Sequence, residues 1–271
     1  MSVRRISFTL LGTGSSGGVP RVVGYWGACD PGEPKNRRLR CSALVEVWKL
    51  DAPEDVTTVL IDTSPDMREQ LLAAQVTRLD AVVFTHDHAD QTHGIDDVRA
   101  LAIRNRAQVK AYMDQPTSRT LIPKFNYVFH GENGYPPIYD VQPFLTPYAP
   151  FSLSGPGGRF EMLPLDQEHG YIRSLGFRIG NMAYCNDLNA FPDDTLQALE
   201  GLDLLIVDAL RYTPHPSHAH LGQTLEWIKM LRPRQSVLTN LHIDLDYKTL
   251  IKELPDRVSP GFDGWAYEAN F

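Results

Sequence analysis

Short hydrophobic runs recur along the chain and predict a series of β-strands. The runs are rich in β-branched and aromatic residues, which favour extended structure, and turn-forming residues separate them. The predicted strands span residues 6–11, 43–48, 58–61, 81–84, 160–163, 204–207 and 236–238. The fold is therefore expected to contain a large amount of sheet.

Apolar residues at helical spacing predict two amphipathic helices between these strands. The first is expected to start with Ser64 as its N-cap and Pro65 in its first turn, and the second to end before Pro233. The apolar positions are Met67, Leu71 and Ala74 in the first helix, and Leu221, Leu225, Ile228 and Leu231 in the second. Early strands resemble hairpins and later ones alternate with helices. This order favours an α+β fold of mixed sheets with helices packed outside.

Domain organisation is expected to be simple, because the chain contains no internal repeat, low-complexity tract or linker. We therefore predict one domain over residues 1–271. The segment at about 116–156 is rich in aromatic residues and proline and fits neither periodicity well. It is interpreted as an insertion that either walls a pocket or packs as a surface loop.

Composition excludes several classes of protein. The 271 residues carry a formal net charge of −7, which argues against nucleic-acid binding through bulk charge. No apolar run approaches the ~20 residues that a membrane span needs, and we expect no signal peptide. Three widely spaced cysteines do not suggest a disulfide framework, so a reducing cytoplasm is the expected location.

A glycine-rich loop follows the first predicted strand. Residues 12–17 match the G-x-G-x-x-G pattern of dinucleotide-binding sites. Pro20 biases Val19 away from helical geometry, so no helix N-terminus is expected for a pyrophosphate. The loop is better interpreted as lying beside an active site, where glycines permit close approach.

The strongest chemical signal is a cluster of metal-ligand side chains at residues 84–94. His86, His88 and Asp90 follow the end of a buried strand at spacings that allow them to converge on a metal ion. Three further candidate ligands each follow a later apolar run. His169 comes after residues 160–163, Asp187 after residues 182–184 and His242 after residues 236–240.

At these residues the sequence resembles the metallo-β-lactamase-fold hydrolases, with an H-x-H-x-D motif followed by a downstream histidine, aspartate and final histidine. In detail it is similar to the group containing phosphoribosyl cyclic phosphate phosphodiesterase and ribonuclease Z. The supporting segments are residues 12–20 (GTGSSGGVP), 26–31 (WGACDP), 93–97 (HGIDD), 215–218 (HPSH) and 238–246 (LTNLHIDLD). The resemblance implies an αββα sandwich of two mixed β-sheets with helices on the outer faces.

The resemblance also implies two divalent metal ions, zinc or manganese. His86, His88 and His169 would hold one ion, Asp90 would hold the second and orient a hydroxide, and Asp187 would bridge the two.

Two positions depart from the family pattern. Gln91 stands where the family places a histidine, which puts the second ion in question, and Asn240 stands where the final ligand usually follows a Leu-Thr pair. Since two residues along a strand restore the same face, His242 is predicted as the final ligand.

Substrate binding is expected to involve a second set of residues. The resemblance implies that His218 contacts the substrate phosphate and donates a proton, with His215 beside it. Arg37 and Arg38 form a basic patch that either faces a phosphate or is a solvated loop. Asp62 is either a carboxylate that orients the metal ligands or a strand-end cap.

The leading hypothesis is a metal-dependent phosphodiesterase acting on a small cyclic phosphate or nucleotide. The alternatives are a tRNA-processing endonuclease of the ribonuclease Z type, a thioester or lactam hydrolase, and a catalytically weakened metal- or nucleotide-binding protein. The expected partner is a small phosphodiester or nucleotide, with no membrane or strong nucleic-acid partner, and a homodimer is left open.

Overall fold

Two seven-stranded mixed sheets form the centre of the molecule in a computed structural model that describes residues 3–271. The strands are β1 (Arg4–Gly12), β2 (Ser42–Lys49), β3 (Ala52–Ile61), β4 (Ala81–Val83), β5 (Val109–Tyr112), β6 (Tyr139–Val141), β7 (Phe151–Gly155), β8 (Gly158–His169), β9 (Ile172–Ile179), β10 (Met182–Cys185), β11 (Leu204–Asp208), β12 (Gln235–Thr239), β13 (Val258–Pro260) and β14 (Ala266–Asn270). All seven predicted strands are confirmed.

The helices lie along the chain between these strands. They are α1 (Met67–Ala73), α2 (Ala89–Thr92), α3 (Arg99–Asn105), α4 (Gln115–Lys124), α5 (Asn126–His130), α6 (Asp193–Ala198), α7 (Leu221–Leu231) and α8 (Tyr247–Glu253). Among the described residues, none of these helices has the length and apolar character needed to cross a bilayer.

Each sheet combines an antiparallel half with a parallel half. The first sheet has the order β14-β1-β2-β3-β4-β5-β6, and the second has the order β13-β12-β11-β10-β9-β8-β7. Pairing is parallel from β3 to β6 and from β10 to β13, and antiparallel elsewhere. The parallel halves matter most for the site, because their strands end at a common edge.

Strand alternation divides the core into three layers. Val45 and Val47 of β2 face the second sheet in a shared buried cluster, whereas Leu44 packs outward with Met67 of α1. A third cluster packs Leu205 of β11 and its neighbours against α7 and α8. These layers confirm the αββα sandwich with helices on the outer faces.

The two predicted helices are both present, with one boundary shifted. The first begins at Met67, later than expected, because Ser64 accepts a hydrogen bond from the Asp66 backbone and forms a turn before the helix. The second is α7, and the side chain of His220 caps it by accepting from the Gln223 backbone N–H at 3.4 Å.

The aromatic segment at 116–156 is built into the sandwich. It contains most of α4, all of α5, and β6 and β7, the edge strands of the two sheets. Phe129 and Tyr139 from this segment are buried in the core beneath the first sheet. The glycine-rich loop after β1 contains no helix, as expected, and Gly14 forms isolated β-bridges with Arg40 and Leu241.

Candidate metal centre

The predicted metal-ligand residues lie where strands of both sheets end. His86 and His88 follow β4 of the first sheet, whereas His169 ends β8 of the second. Asp187 and Asn240 follow β10 and β12, whose parallel pairing through β11 brings their carboxyl ends to one edge. The site therefore spans both sheets.

Three imidazole rings pack together at this edge. The ring centroid of His86 lies 4.5 Å from that of His88 and 5.1 Å from that of His169, and the centroids of His88 and His169 lie 4.9 Å apart. The Nδ1 atom of His88 faces the Nε2 atom of His169 at 3.2 Å. All three can present one ligand atom to a common centre.

Neighbouring groups orient two of these rings. Thr85 donates its backbone N–H to Asp62 and pairs its hydroxyl with the other Asp62 oxygen, both at 2.8 Å, and the same hydroxyl lies 2.9 Å from Nδ1 of His86. His169 donates its Nδ1–H to the Ser217 carbonyl at 2.7 Å. Such contacts leave the opposite nitrogen available for a metal ion. Asp62 therefore reaches the His86 ring through Thr85, which is the geometry that the first of its two predicted alternatives requires.

The protonation of the cluster also favours metal binding. Burial, followed by the nearby rings of His169 and His88, lowers the pKa of His86 well below its usual value. Burial and the charge of His218 lower the pKa of His169 to about 4. Because neutral imidazole is the form that binds metals, these two rings are ready as ligands near pH 7.

The cluster fits one divalent metal ion. The Nε2 atom of His86 is buried and has no hydrogen-bond partner, which is costly unless another group satisfies it. The 3.2 Å separation between the other two ring nitrogens is close to the roughly 3.3 Å between ligands of a tetrahedral zinc with bonds of about 2.0 Å.

Asp187 lies next to the histidines in a polar network. It can join His169 and His218 in a second group of candidate ligands, but its oxygens accept hydrogen bonds from the amides of Gln91, Asn186 and Asn240. Burial raises the pKa of the Asp187 carboxyl, and the positive charge of His218 acts in the opposite direction.

Backbone strain accompanies this network. Asp62, Asp187 and Asn240 all adopt positive φ, at 62, 54 and 61°, although none is glycine. Such strained positions cluster at functional sites.

His218 is held between two carboxylates. Its Nδ1 atom lies 3.0 Å from Asp208 and 3.4 Å from Asp187. Burial alone lowers the pKa of His218, but the carboxylates of Asp208, Asp187 and Asp90 together outweigh it, and the pKa rises to about 9. His218 is therefore an imidazolium at neutral pH, with Nε2 as its remaining donor.

A small cavity of about 160 Å³ adjoins His218. Its wall contains basic side chains and the serines of the glycine-rich loop, which accordingly lies beside the site. The lining residues are Ser15, Ser16, Arg21, Leu210, Arg211, His215, His218, Asn240 and His242. This wall can attract an anion to the edge of the histidine cluster.

The structure separates His242 from the other predicted ligands. Its ring contacts Arg21 and Asp244 and belongs to neither group of candidate ligands among the described residues, whereas Asn240 contacts Asp187. The prediction assumed that the strand continues, but β12 ends at Thr239 and Asn240 has positive φ. The alternation of faces therefore stops before position 242.

The expected phosphate-facing role of Arg38 is also corrected. Its side chain is buried, and its guanidinium donates to the Leu245 carbonyl at 2.7 Å and to the His242 carbonyl at 3.3 Å. Arg38 therefore links two loops inside the protein. Arg37 is exposed on the surface and does not line the cavity.

Asp90 lies on the first turn of α2 and belongs to neither group of candidate ligands among the described residues. Its charge nevertheless raises the pKa of both Asp187 and His218. His93 is exposed and packs against Phe125, with ring centroids 5.7 Å apart.

Sequence reasoning missed Asp208, Arg21 and Arg211. Asp208 directly follows the predicted strand 204–207, next to the others, so its position at the sheet edge was a usable signal. Arg21 follows the glycine-rich loop, and Arg211 lies in the loop that carries His215 and His218. Only the folded arrangement shows that both line the cavity.

Comparison with known proteins identifies the family of this fold. The family described as "Beta-lactamase superfamily domain" matches residues 57–243. A solved structure described as a new diphosphatase from the PhnP family is 33% identical, covers 98% of both chains and has a TM-score of 0.84. The short form of human tRNase Z is 16% identical, covers 96% of this chain and 98% of its own, and has a TM-score of 0.64.

A curated relative matches only in part. The octanoyltransferase of Porphyromonas gingivalis (strain ATCC BAA-308 / W83) is 33% identical over 260 residues, which cover 94% of this chain. The chain spans about half the length of that protein.

Proposed function

The chain belongs to the β-lactamase superfamily domain family, as a metallo-β-lactamase-fold hydrolase related to the PhnP group, and from this premise we propose that it is a metal-dependent phosphodiesterase. The proposed substrate is a small cyclic phosphate or a nucleotide phosphodiester. The proposed location is the cytoplasm.

One observation carries the proposal: the histidine cluster adjoins a cavity lined with positive charge. A hydrolytic metal site needs a group that holds the substrate, and the residues at this wall select an anion. Arg21 and Arg211 supply permanent charge, and His218 adds a third positive group. A phosphate ester matches this wall better than an uncharged lactam or thioester.

The metal ion would be held by His86, His88 and His169. A divalent ion there would supply Lewis-acid polarisation of the substrate and activation of water. Three imidazole ligands favour zinc over manganese, which prefers oxygen ligands. Asp62, acting through Thr85, keeps the ring of His86 in the orientation that such binding requires.

The chain's own residues would handle charge and protons. Arg21 and Arg211 would hold the nonbridging oxygens of the phosphate against the cavity wall. His218, fixed by Asp208 at Nδ1, would donate the proton on Nε2 to the leaving alkoxide oxygen. Exclusion of water from the cavity would strengthen these contacts, because it lowers the local dielectric constant.

The comparisons support this reaction class. The solved relative with 33% identity is described as a diphosphatase, and that reaction also breaks a bond at phosphorus. The curated relative is named for an acyl transfer, but that protein is about twice as long as the stretch that matches this chain. Cleavage of an octanoyl thioester is therefore included in the experiment as a competing outcome.

A substrate panel tests the proposal. The zinc-loaded protein is assayed against bis(p-nitrophenyl) phosphate, a 2′,3′-cyclic nucleotide, a nucleoside diphosphate and an octanoyl thioester. We expect hydrolysis of the two phosphodiesters, with a loss of about 100-fold or more in kcat for His218→Asn. His130→Asn is the matched control, because His130 is exposed and bonds only to Asn126. Cleavage of the thioester alone would contradict the proposal.

A further inference from the structure

The hydrogen bonds of Asp187 determine how many metal ions this site can hold. Its Oδ2 atom accepts from Gln91 Nε2 at 2.7 Å and from Asn186 Nδ2 at 2.8 Å, and its Oδ1 atom accepts from Asn240 Nδ2 at 3.0 Å. A carboxylate that bridges two ions must direct the same lone pairs to the ions. Here three N–H groups occupy three of the roughly four lone-pair positions of the carboxylate.

The chemistry of the Asp187 carboxylate fixes the orientation of these amides. A carboxylate accepts hydrogen bonds and donates none, so each amide must turn its nitrogen towards Asp187. The oxygen of Gln91 consequently points elsewhere and is buried without a hydrogen-bond partner. Amide N–H groups have no lone pair for a cation. Gln91 and Asn240, which occupy the two positions where the resemblance places histidine ligands, therefore act as donors.

His218 also takes part in the hydrogen-bond network at the position where a second ion would bind to Asp187. Its Nδ1 atom faces Asp208, the Asn240 amide nitrogen and Asp187, at 3.0, 3.1 and 3.4 Å, so this atom is already engaged within the same network. The group formed by His169, Asp187 and His218 also shares His169 with the three-histidine cluster. The residues present therefore do not fit a second ion.

We propose that this chain binds a single divalent ion at His86, His88 and His169, and that the amides of Gln91 and Asn240 replace the second ion by holding Asp187 in a closed hydrogen-bond network. The Nε2 atom of His86 is a buried, unpartnered ring nitrogen within the three-histidine cluster, where the single ion would bind. The inference depends on metal binding by the histidines and not on the substrate proposed above.

Metal counting tests the inference without an activity assay. Purified wild-type protein is saturated with Zn²⁺, freed of excess ion by gel filtration, and analysed by elemental mass spectrometry. The same is done for Gln91→His/Asn240→His, which restores imidazole lone pairs at both positions. The control, Gln197→His/Asn105→His, adds two histidines at exposed positions away from the site.

We expect about one zinc per chain for the wild type and the control, and about two for Gln91→His/Asn240→His. Two ions, or none, on the wild type would overturn the proposal. A count of one on the folded double variant would overturn it as well, because the amides would then not be what closes the position. If that variant does not fold, the wild-type count still decides.

Discussion

Asp208 governs the charge of the residue that is proposed to donate the proton. Its carboxylate is buried, also accepts the Leu188 backbone N–H, and lies 3.0 Å from His218. It is a positioning residue, because it acts on the substrate only through the imidazole. Its negative charge favours the imidazolium form, whereas burial opposes that form.

Asp208→Asn should therefore change the pH profile of catalysis. Removing the carboxylate lowers the pKa of His218 from about 9, since the remaining burial favours the neutral ring. We expect the alkaline limb of kcat to move to lower pH, with a loss of about 100-fold at pH 8. The measurement is kcat from pH 5 to 10 with a phosphodiester substrate. An equal loss at every pH would indicate that Asp208 only maintains the fold.

Arg38 is a second residue whose role depends on burial. Its guanidinium is 1% exposed and satisfies two backbone carbonyls near His242. Replacing it leaves these carbonyls without a charged donor.

Arg38→Met should lower the free energy of unfolding by about 3 kcal/mol, as expected for the loss of buried hydrogen bonds to a charged group. Arg37→Met is the matched control, and because Arg37 is exposed its effect should stay below about 0.5 kcal/mol. Urea unfolding of both variants measures the difference. Equal, small effects would show that the buried contacts of Arg38 contribute little.

At residue level, sequence reasoning located local ligand motifs better than single distant positions. His86 and His88 lie close together in one short loop, so their convergence needed little knowledge of the fold. Among the described residues, His242 lies outside both groups of candidate ligands because positive φ at Asn240 ends the strand, and no side-chain pattern indicates such a backbone change.

The cap of helix α8 also holds a loop that is distant in sequence. Asp246 caps α8 by accepting the Thr249 backbone N–H at 2.9 Å, and its other oxygen accepts from Asn36 and from the Asp30 backbone. Burial raises the pKa of Asp246, but these hydrogen bonds outweigh it and lower the pKa to about 2. One carboxylate therefore joins α8 to the loop containing residues 30–36.

Asp246→Ala should lower the free energy of unfolding by about 1–2 kcal/mol at pH 7, the usual cost of losing a cap. Because the folded-state pKa lies below the ordinary value, the stabilisation is present above about pH 4 and is lost as the pH falls towards 2. Thermal unfolding from pH 2 to 7 measures both effects. Asp256→Ala, at an exposed position, is the control, and a deficit independent of pH would contradict this account.

Strands with a clear apolar run were predictable, whereas the short edge strands β6 and β13 and the longer strand β9, which mixes polar and apolar residues, were not. The seven predicted strands are long or fully buried, so their apolar patterns are clear. Strands β6 and β13 have three residues each and are defined mainly by pairing with a neighbour. The start of α1 shifted because Ser64 forms a turn, which a capping pattern alone cannot distinguish from a cap.

At the scale of the whole molecule, the three-histidine cluster lies at the junction of the two sheets. His86 and His88 follow a strand of the first sheet, and His169 ends a strand of the second. A metal ion there would link the two halves of the sandwich, so binding should stabilise the fold as a whole. The resemblance predicted this arrangement, but the cavity wall combines loops that are distant in sequence and became visible only in the folded chain.

Metal removal should consequently lower Tm. Binding only to the folded state adds about 2.7 kcal/mol when the free ion is at 100 times its Kd. Calorimetry compares chelator-treated protein with the same protein after Zn²⁺ is restored, and the higher Tm should return. In His169→Asn the metal-dependent shift should disappear, whereas His130→Asn should keep it. An identical Tm with and without zinc would contradict a stabilising site.

The most direct test of the proposed metal and phosphate sites is a crystal structure of the zinc-loaded protein with inorganic phosphate, using anomalous scattering at the zinc edge. We predict an anomalous peak bounded by His86 Nε2, His88 Nδ1 and His169 Nε2, with phosphate between that peak and Arg21 and His218. No peak at the three histidines, or phosphate bound elsewhere with this cavity empty, would contradict this prediction.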